Sequence, residues 1–289
     1  MNPISFLTQM IRIAIPYLFA ASGGVVAERA GIVSLTLEGF MLSGAFAAVL
    51  GTNLSGSPWV GVLTGILGGL MFALIHALAT IRYRADQIVV GVAINLMAIG
   101  ITRFLLKLFF DSSSNSPRVA GFGGNINMAG FDNPLLWLGL IVPVAVAYMV
   151  YRTPFGLRIR AAGEHPDAAE SVGVSVKRVR YVAVAISGML AGLGGVYLAL
   201  DQHQFTDQMT AGRGFIAVAA VIFGRWDPVR AALACLLFAA AETLQIQLQG
   251  NHVIASQFIE MIPYLLTIIA LAGVVGRAVP PAALGKTEQ

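Results

Sequence analysis

Four polar residues interrupt long apolar stretches of the chain and are the first candidates for chemistry. They are Glu38, Asn95, Glu242 and Glu260. A charge near the centre of an apolar helix costs about 2.5–3.5 kcal/mol on membrane-insertion scales, so such residues usually face a bundle interior or a cavity. Glu38 lies deepest in its stretch, whereas Glu242 and Glu260 lie nearer the ends, where hydration is expected. Asn95, near the middle of its stretch, could bind a polar ligand or hydrogen-bond a neighbouring helix.

The stretch 152–180 contains closely spaced helix signals among basic residues. We expect Pro154–Gly156 to end the preceding helix and Pro166 to occupy the first turn of a new one. Asp167 favours the positive N-terminal end of that helix, and Gly173 can close it after about two turns. This layout predicts a short surface helix that docks a partner, with a generic loop as the alternative.

The sequence shows no constellation typical of catalysis or metal binding. Its four histidines have no ligand spacing with one another, and no Ser/His/Asp elbow is present. The single cysteine, Cys235, lies in an apolar run and is expected to behave as a small hydrophobe. We therefore expect no catalytic residue, no metal site and no cofactor bound by this chain.

The elements that must position these residues follow from composition. Of the 289 residues, 57% are hydrophobic and 11% charged, against about 45–50% apolar and about 25% charged in a soluble domain. The solvent around the chain must therefore be lipid. The 18 Lys and Arg residues are scattered between apolar runs and form no single basic face, which argues against nucleic-acid binding.

Apolar runs of about 20 residues, the length that spans a membrane, predict one all-α transmembrane domain over 1–289. The candidate spans are approximately 4–26, 31–50, 59–79, 86–110, 134–151, 179–200, 214–224, 229–248 and 254–276. The run 214–224 is too short to cross and would be half of a broken helix or a re-entrant segment, so we expect eight to ten crossings. Gly61, Gly65 and Gly69 recur on one helix face and predict close approach by another helix.

Basic residues predict the orientation of the chain in the membrane. They cluster in three links and are rare in the alternate ones. The rich links are 82–84, 152–180 and 225–230, and the poor ones are 51–58, 111–133 and 201–213. Because basic residues are enriched in cytoplasmic links, the N-terminus should lie outside and the C-terminus in the cytoplasm. The link 111–133 then becomes a long outer loop.

One run of this chain resembles the cytoplasmic coupling segment of permease subunits from ATP-binding-cassette (ABC) importers of branched-chain amino acids, ribose and nucleosides. It is the run Arg160-Ala-Ala-Gly-Glu-His-Pro-Asp-Ala-Ala-Glu-Ser-Val-Gly-Val174. Three further stretches resemble the branch that works with basic-membrane-protein-type lipoproteins and carries nucleosides or simple sugars. They are Glu28–Gly39, Ala211–Trp226 and Pro263–Leu271. The similarity covers nearly the whole chain, but asparagine would be expected at His165 and Ser34, and the second departure leaves substrate detail open.

The resemblance implies the partners and the activity. In such importers two permease subunits form the pathway, ATPase subunits beneath them bind ATP and Mg, and an external binding protein delivers the substrate. This chain would form half of a pathway for a nucleoside in the bacterial cytoplasmic membrane; ribose, another simple sugar or a branched-chain amino acid is the alternative. The second permease would be a longer homologue, or else a second copy of this chain. A secondary transporter driven by an ion gradient would share the composition but not the coupling segment.

The resemblance also assigns residues to two sites. A groove on an ATPase subunit would receive a coupling segment comprising Arg160, Gly163, Glu164, Pro166, Asp167, Ala168, Ala169 and Gly173. If the second and fourth helices line the central path, the substrate would pass Ser34, Thr36, Glu38, Phe40 and Asn95. The coupling residues are expected to lie away from the bundle core, so substitutions there should leave the membrane domain folded.

Overall fold

The computed structural model describes residues 3–122, 132–249 and 279–286. Within these ranges the chain is helical, and no strand occurs beyond an isolated bridge between Asn115 and Thr206. The helices are α1 (Pro3–Arg29), α2 (Leu37–Ser55), α3 (Pro58–Ala77, continued by a π-helical turn Leu78–Arg82), α4 (Gln87–Phe110), α5 (Pro134–Arg152), α6 (Pro154–Glu164), α7 (Pro166–Ser171), α8 (Val176–Asp201), α9 (Arg213–Phe223) and α10 (Pro228–Gln249).

The predicted transmembrane bundle is confirmed. Seven described helices, α1 to α5, α8 and α10, are long and apolar enough to cross a membrane. Helix α9 has 11 residues, so at about 1.5 Å per residue it covers roughly half of a hydrocarbon layer about 30 Å thick. This agrees with the predicted half-helix at 214–224. The predicted span 254–276 lies outside the described residues.

Helices α1, α2 and α8 form the centre of the described bundle, and α3 packs against α2 and α8 through glycine contacts. A Cβ atom on Gly69 would lie 2.3 Å from the carbonyl oxygen of Gly188 in α8, and one on Gly65 would lie 2.9 Å from the carbonyl oxygen of Gly44 in α2. The backbones can approach this closely only because glycine has no Cβ atom. The predicted glycine face of α3 is therefore confirmed as a packing surface.

The link between α5 and α8 folds into two helices rather than one. Helix α5 ends at Arg152, and Pro154 stands in the first turn of α6, where the Thr153 hydroxyl accepts a hydrogen bond from the Gly156 amide at 3.1 Å. The preceding helix ends just before Pro154, as predicted, and the new helix that begins there was not predicted; proline at the first helical position starts a helix readily. The predicted second helix is present as α7, and Gly173 follows it with φ +85°.

Two irregular segments interrupt the bundle and position the candidate site. Residues 30–36 separate α1 from α2, and residues 202–212 lead from the end of α8 to the start of α9. The second segment pairs with the link that follows α4, since the Ser116 amide donates to Phe205 and the Val119 amide donates to His203, each at 2.8 Å. The described part of that link thereby covers the beginning of the 202–212 segment.

Candidate functional site

The Glu38 carboxylate supplies the N-terminal cap of α9 from another helix. It accepts hydrogen bonds from the Thr210 hydroxyl at 2.6 Å, the Gly212 amide at 2.9 Å and the Gly214 amide at 2.6 Å. The first amides of a helix have no partner within the helix, and a negative charge there also interacts favourably with the helix dipole. Glu38 is 7% exposed. A buried carboxylate is stabilised here because α9 begins beside it.

Asn95 makes the corresponding contact at the start of α2. Its carbonyl oxygen accepts from the Gly39 amide at 2.9 Å, and its amide donates to the carbonyl of Leu35 at 2.8 Å. This is the interhelical hydrogen bond that the sequence left open beside ligand binding. Glu38 and Asn95 therefore join α4, α2 and α9 in one polar chain at the breaks in the bundle.

A cavity of about 320 Å³ lies against this polar chain. Its lining comes from α2, α4, the 202–212 segment and the first turn of α9. The lining residues are Glu38, Leu42, Val92, Asn95, Leu96, Ile99, Gln208, Thr210, Ala211, Gly212 and Phe215. Asn95 is in the ninth position of the 24-residue α4, so the cavity lies against the middle third of this helix.

The other predicted path residues do not line this cavity. Ser34 and Thr36 are buried in the 30–36 segment, where the Ser34 hydroxyl donates to the Gly24 carbonyl at 3.3 Å. Phe40 is buried against His76 in an edge-to-face contact. The structure thus brings Glu38 and Asn95 together and leaves the other three in the surrounding packing. Roles for all five in transport stay predictions.

Glu242 was predicted to be simply hydrated, and this prediction was wrong. Its carboxylate lies 3.2 Å from the Arg213 guanidinium and also accepts a hydrogen bond from the Tyr17 hydroxyl. The residue therefore ties the first turn of α9 to α1 and α10. Glu260 lies outside the described residues.

The coupling segment presents an exposed face and a buried one. Glu164, Asp167, Ala168 and Gly173 are exposed, Pro166 and Arg160 are half-buried, and Gly163 and Ala169 are buried. The Arg160 guanidinium lies 5.6 Å from the centre of the Tyr151 ring. The exposed side of α7 is therefore accessible to a partner, and its buried side packs against the bundle.

Gly163 does not lie away from the bundle core, contrary to prediction. A Cβ atom there would lie 2.0 Å from the carbonyl oxygen of Arg29, the last residue of α1. The Gly163 carbonyl also accepts a hydrogen bond from the Ala283 amide at 2.8 Å. The end of α6 is thus packed between α1 and the 279–286 segment.

Sequence reasoning missed the contacts of the 279–286 segment. The Ala282 amide donates to the Glu164 carboxylate at 3.3 Å, and the Gly285 amide donates to the Gly31 carbonyl at 3.3 Å. The Arg180 guanidinium reaches the same turn and donates to the Ala30 carbonyl at 3.1 Å. The coupling segment and the break between α1 and α2 therefore share one junction, for which the sequence offered no local signal.

Among residues 3–122, 132–249 and 279–286, no group of three or more His, Cys, Asp or Glu side chains is placed to hold a metal ion. Long apolar helices, interrupted helices beside a cavity at the middle of α4 and a helical elbow at the basic end are the features of a polytopic membrane permease. The family described as branched-chain amino acid transport system / permease component matches residues 6–271. The chain belongs to this family.

Three relatives are similar over almost their whole length. The guanosine ABC transporter permease protein NupQ of Bacillus subtilis is 40% identical, with 94% of this chain and 92% of the relative covered. The nucleoside ABC transporter permease protein NupC of Lactococcus lactis is 38% identical, with 96% and 95% covered. The putative glucose ABC transporter permease protein TsgC13 of Haloferax volcanii is 32% identical, with 96% and 95% covered.

A solved structure described as an inward-facing conformation of a putative metal-chelate type ABC transporter has a similar fold. The TM-score is 0.50 at 13% identity, with 92% of this chain and 85% of that chain covered. This likeness concerns the fold alone. The family and the relatives make this chain a membrane-embedded transport subunit of an ABC transporter and not an enzyme, working with ATPase and substrate-binding partners.

Proposed function

We propose that this chain forms one half of the pathway through which an ABC importer carries a nucleoside across the bacterial cytoplasmic membrane. The cavity beside Glu38 and Asn95 carries the proposal. Irregular backbone with positive φ at Gln208, Ala211 and Gly212 lines it, next to the middle part of α4. Non-helical backbone is tolerated at membrane depth where it is buried in protein or lines a water-filled cavity. This face of the chain is therefore directed to the path and not to lipid.

A second permease subunit supplies the other half of the path. Gln208 and Phe215 of the cavity lining are exposed, and α4 is the least buried of the seven long described helices. Polar groups such as the Gln208 amide would be costly against lipid tails, so a protein partner or water must face them. We assign this place to a longer homologous permease, with a second copy of this chain as the alternative.

The same arrangement supports a proposed orientation and a proposed coupling role. The N-terminus lies outside and the C-terminus in the cytoplasm, because the basic links are at the end that carries α6 and α7. The exposed face of α7, with Asp167 and Ala168, docks on an ATPase subunit that binds ATP and Mg²⁺. Gly163 and Ala169 transmit movement because they pack inward. An external binding protein delivers substrate at the opposite end, and this chain binds no cofactor and no nucleic acid.

A nucleoside suits a lining that is mostly apolar with a few hydrogen-bonding groups. It is an uncharged ligand with a flat base and several hydroxyls, and such ligands need orienting polar groups but no ring of charge. Relatives named for guanosine and nucleosides at 40% and 38% identity support this substrate class. A simple sugar is the second candidate, supported by the relative named for glucose at 32% identity.

Uptake by the reconstituted complex tests the proposal. The chain, its ATPase, its second permease and its binding protein would be placed in liposomes with ATP inside, and radiolabelled guanosine, ribose, glucose and leucine would be supplied in turn. We expect ATP-dependent guanosine uptake that an ion gradient cannot replace. Uptake of ribose, glucose or leucine without guanosine would refute the substrate class, and gradient-driven uptake without ATP would refute the importer class.

A further inference from the structure

We propose that Phe215 and Gln208 form the nucleoside-recognising surface of the cavity, with Phe215 stacking on the base and the Gln208 amide hydrogen-bonding its edge or the sugar. This proposal rests on the proposed function. Neither residue was among the predicted path residues. Both line the cavity and both are exposed, Phe215 to 47%.

The other polar groups of the cavity are already engaged in holding the helices. The Glu38 carboxylate accepts three hydrogen bonds, one of them from Thr210, and both ends of the Asn95 amide are bonded to α2 or its leading turn. The side-chain amide of Gln208, in contrast, makes no hydrogen bond to any other residue that the structure describes. As far as the described residues go, its donor and acceptor are open to a ligand.

The backbone around Gln208 is held in an unfavourable conformation that directs the segment to the cavity. Gln208 has φ +54° and Ala211 has φ +46°, values that residues with a Cβ adopt rarely. Two successive turns fix them, since the Ala211 amide donates to Gln208 and the Arg213 amide donates to Thr210, each at 2.9 Å. Strained non-glycine residues of this kind concentrate at functional sites.

Phe215 offers a flat surface that no other aromatic ring in the described ranges covers. It lies on the first turn of α9, where the neighbouring Gly214 and Ala217 are buried in the bundle. Val92, Leu96 and Ile99 of α4 contribute the apolar part of the same cavity. A nucleobase between α4 and α9 would therefore contact an aromatic face and an aliphatic wall, an arrangement that recognises bases through stacking.

Substitutions in the reconstituted complex separate recognition from folding. Phe215→Ala should lower the rate of guanosine uptake about five-fold or more, which is the weak end of the range for losing one base–aromatic stack. Phe215→Trp should restore guanosine uptake. In Phe215→Ala, uridine uptake should fall less than guanosine uptake because a pyrimidine has less stacking surface. Phe104→Ala is the matched control, since Phe104 is 65% exposed on α4 and does not line the cavity.

Gln208→Gly removes the amide while suiting the positive φ, and Gln208→Asn keeps an amide in a conformation that asparagine tolerates. We expect Gln208→Gly to slow guanosine uptake and Gln208→Asn to retain more of it. Three results would overturn the stacking assignment: guanosine uptake by Phe215→Ala within two-fold of wild type, equal losses for guanosine and uridine, or no rescue by Phe215→Trp. In each case guanosine uptake by the wild type would still support the proposed function. Absence of guanosine uptake by the wild type would instead overturn both.

Discussion

Replacing Glu38 by glutamine tests the claim that this carboxylate holds α9 in place. The carbonyl oxygen of the glutamine can still accept from Thr210 and Gly212, but its amide group then faces the Gly214 amide, so two donors meet. A buried donor left without a partner costs about 1–3 kcal/mol. Losing a negative charge at a helix N-terminus costs about 0.3–1 kcal/mol more. We therefore expect Glu38→Gln to destabilise the subunit by about 1.3–4 kcal/mol.

Thermal unfolding of the assembled complex in lipid nanodiscs measures this effect, and guanosine uptake follows its consequence for transport. Glu242→Gln is the matched control, because the glutamine oxygen there can accept from Arg213 while its amide donates to the Tyr17 hydroxyl. A hydroxyl accepts as well as donates, so no donor is left facing another donor. Glu38→Gln is expected to reduce both the melting temperature and guanosine uptake more than Glu242→Gln does. A wild-type melting temperature for Glu38→Gln, or the reverse order, would refute the capping role.

Three further substitutions probe the coupling segment and the α2 start. Gly163→Leu should lower the melting temperature strongly, because its Cβ would lie 2.0 Å from the Arg29 carbonyl oxygen; a stable, active variant would contradict this packing. Asp167→Arg, on the exposed face of α7, should leave the melting temperature unchanged while reducing guanosine uptake per ATP hydrolysed, and normal coupling would remove Asp167 from the docking surface. Asn95→Ala loses both bonds to the α2 region and should cost about 1–3 kcal/mol and slow uptake, with thermal melts and initial rates as the measurements.

Local signals predicted the elements that depend on short stretches of sequence. Runs of apolar residues located the long helices, the shortness of 214–224 predicted the half-helix α9, and Pro166 with Gly173 marked α7. Each of these features depends on residues within a few turns of one another. The sequence could not show that Pro154 begins a helix, because proline favours both the end of one helix and the first turn of the next.

The partners of the buried polar residues could not be predicted from one sequence. The cost of burying Glu38 indicated that it needs a partner, but the Thr210 hydroxyl that bonds it lies 172 positions away. The same holds for Gly163, whose contacts come from α1 and from Ala283. Phe215 and Gln208 were missed because an exposed aromatic and an exposed amide are ordinary in sequence and become notable only beside the cavity.

Cysteine accessibility tests most directly the claim that the cavity between α4 and α9 is half of the pathway. Ala211→Cys places a thiol in the cavity lining without new backbone strain, Phe104→Cys places one on α4 away from it, and the native Cys235 is buried. A membrane-impermeant, water-soluble thiol reagent would be applied to the transporting complex. We predict that Ala211→Cys reacts, that guanosine with its binding protein slows the reaction, and that Phe104→Cys stays unreactive. An unreactive Ala211→Cys, or one that guanosine leaves unchanged, would contradict the account.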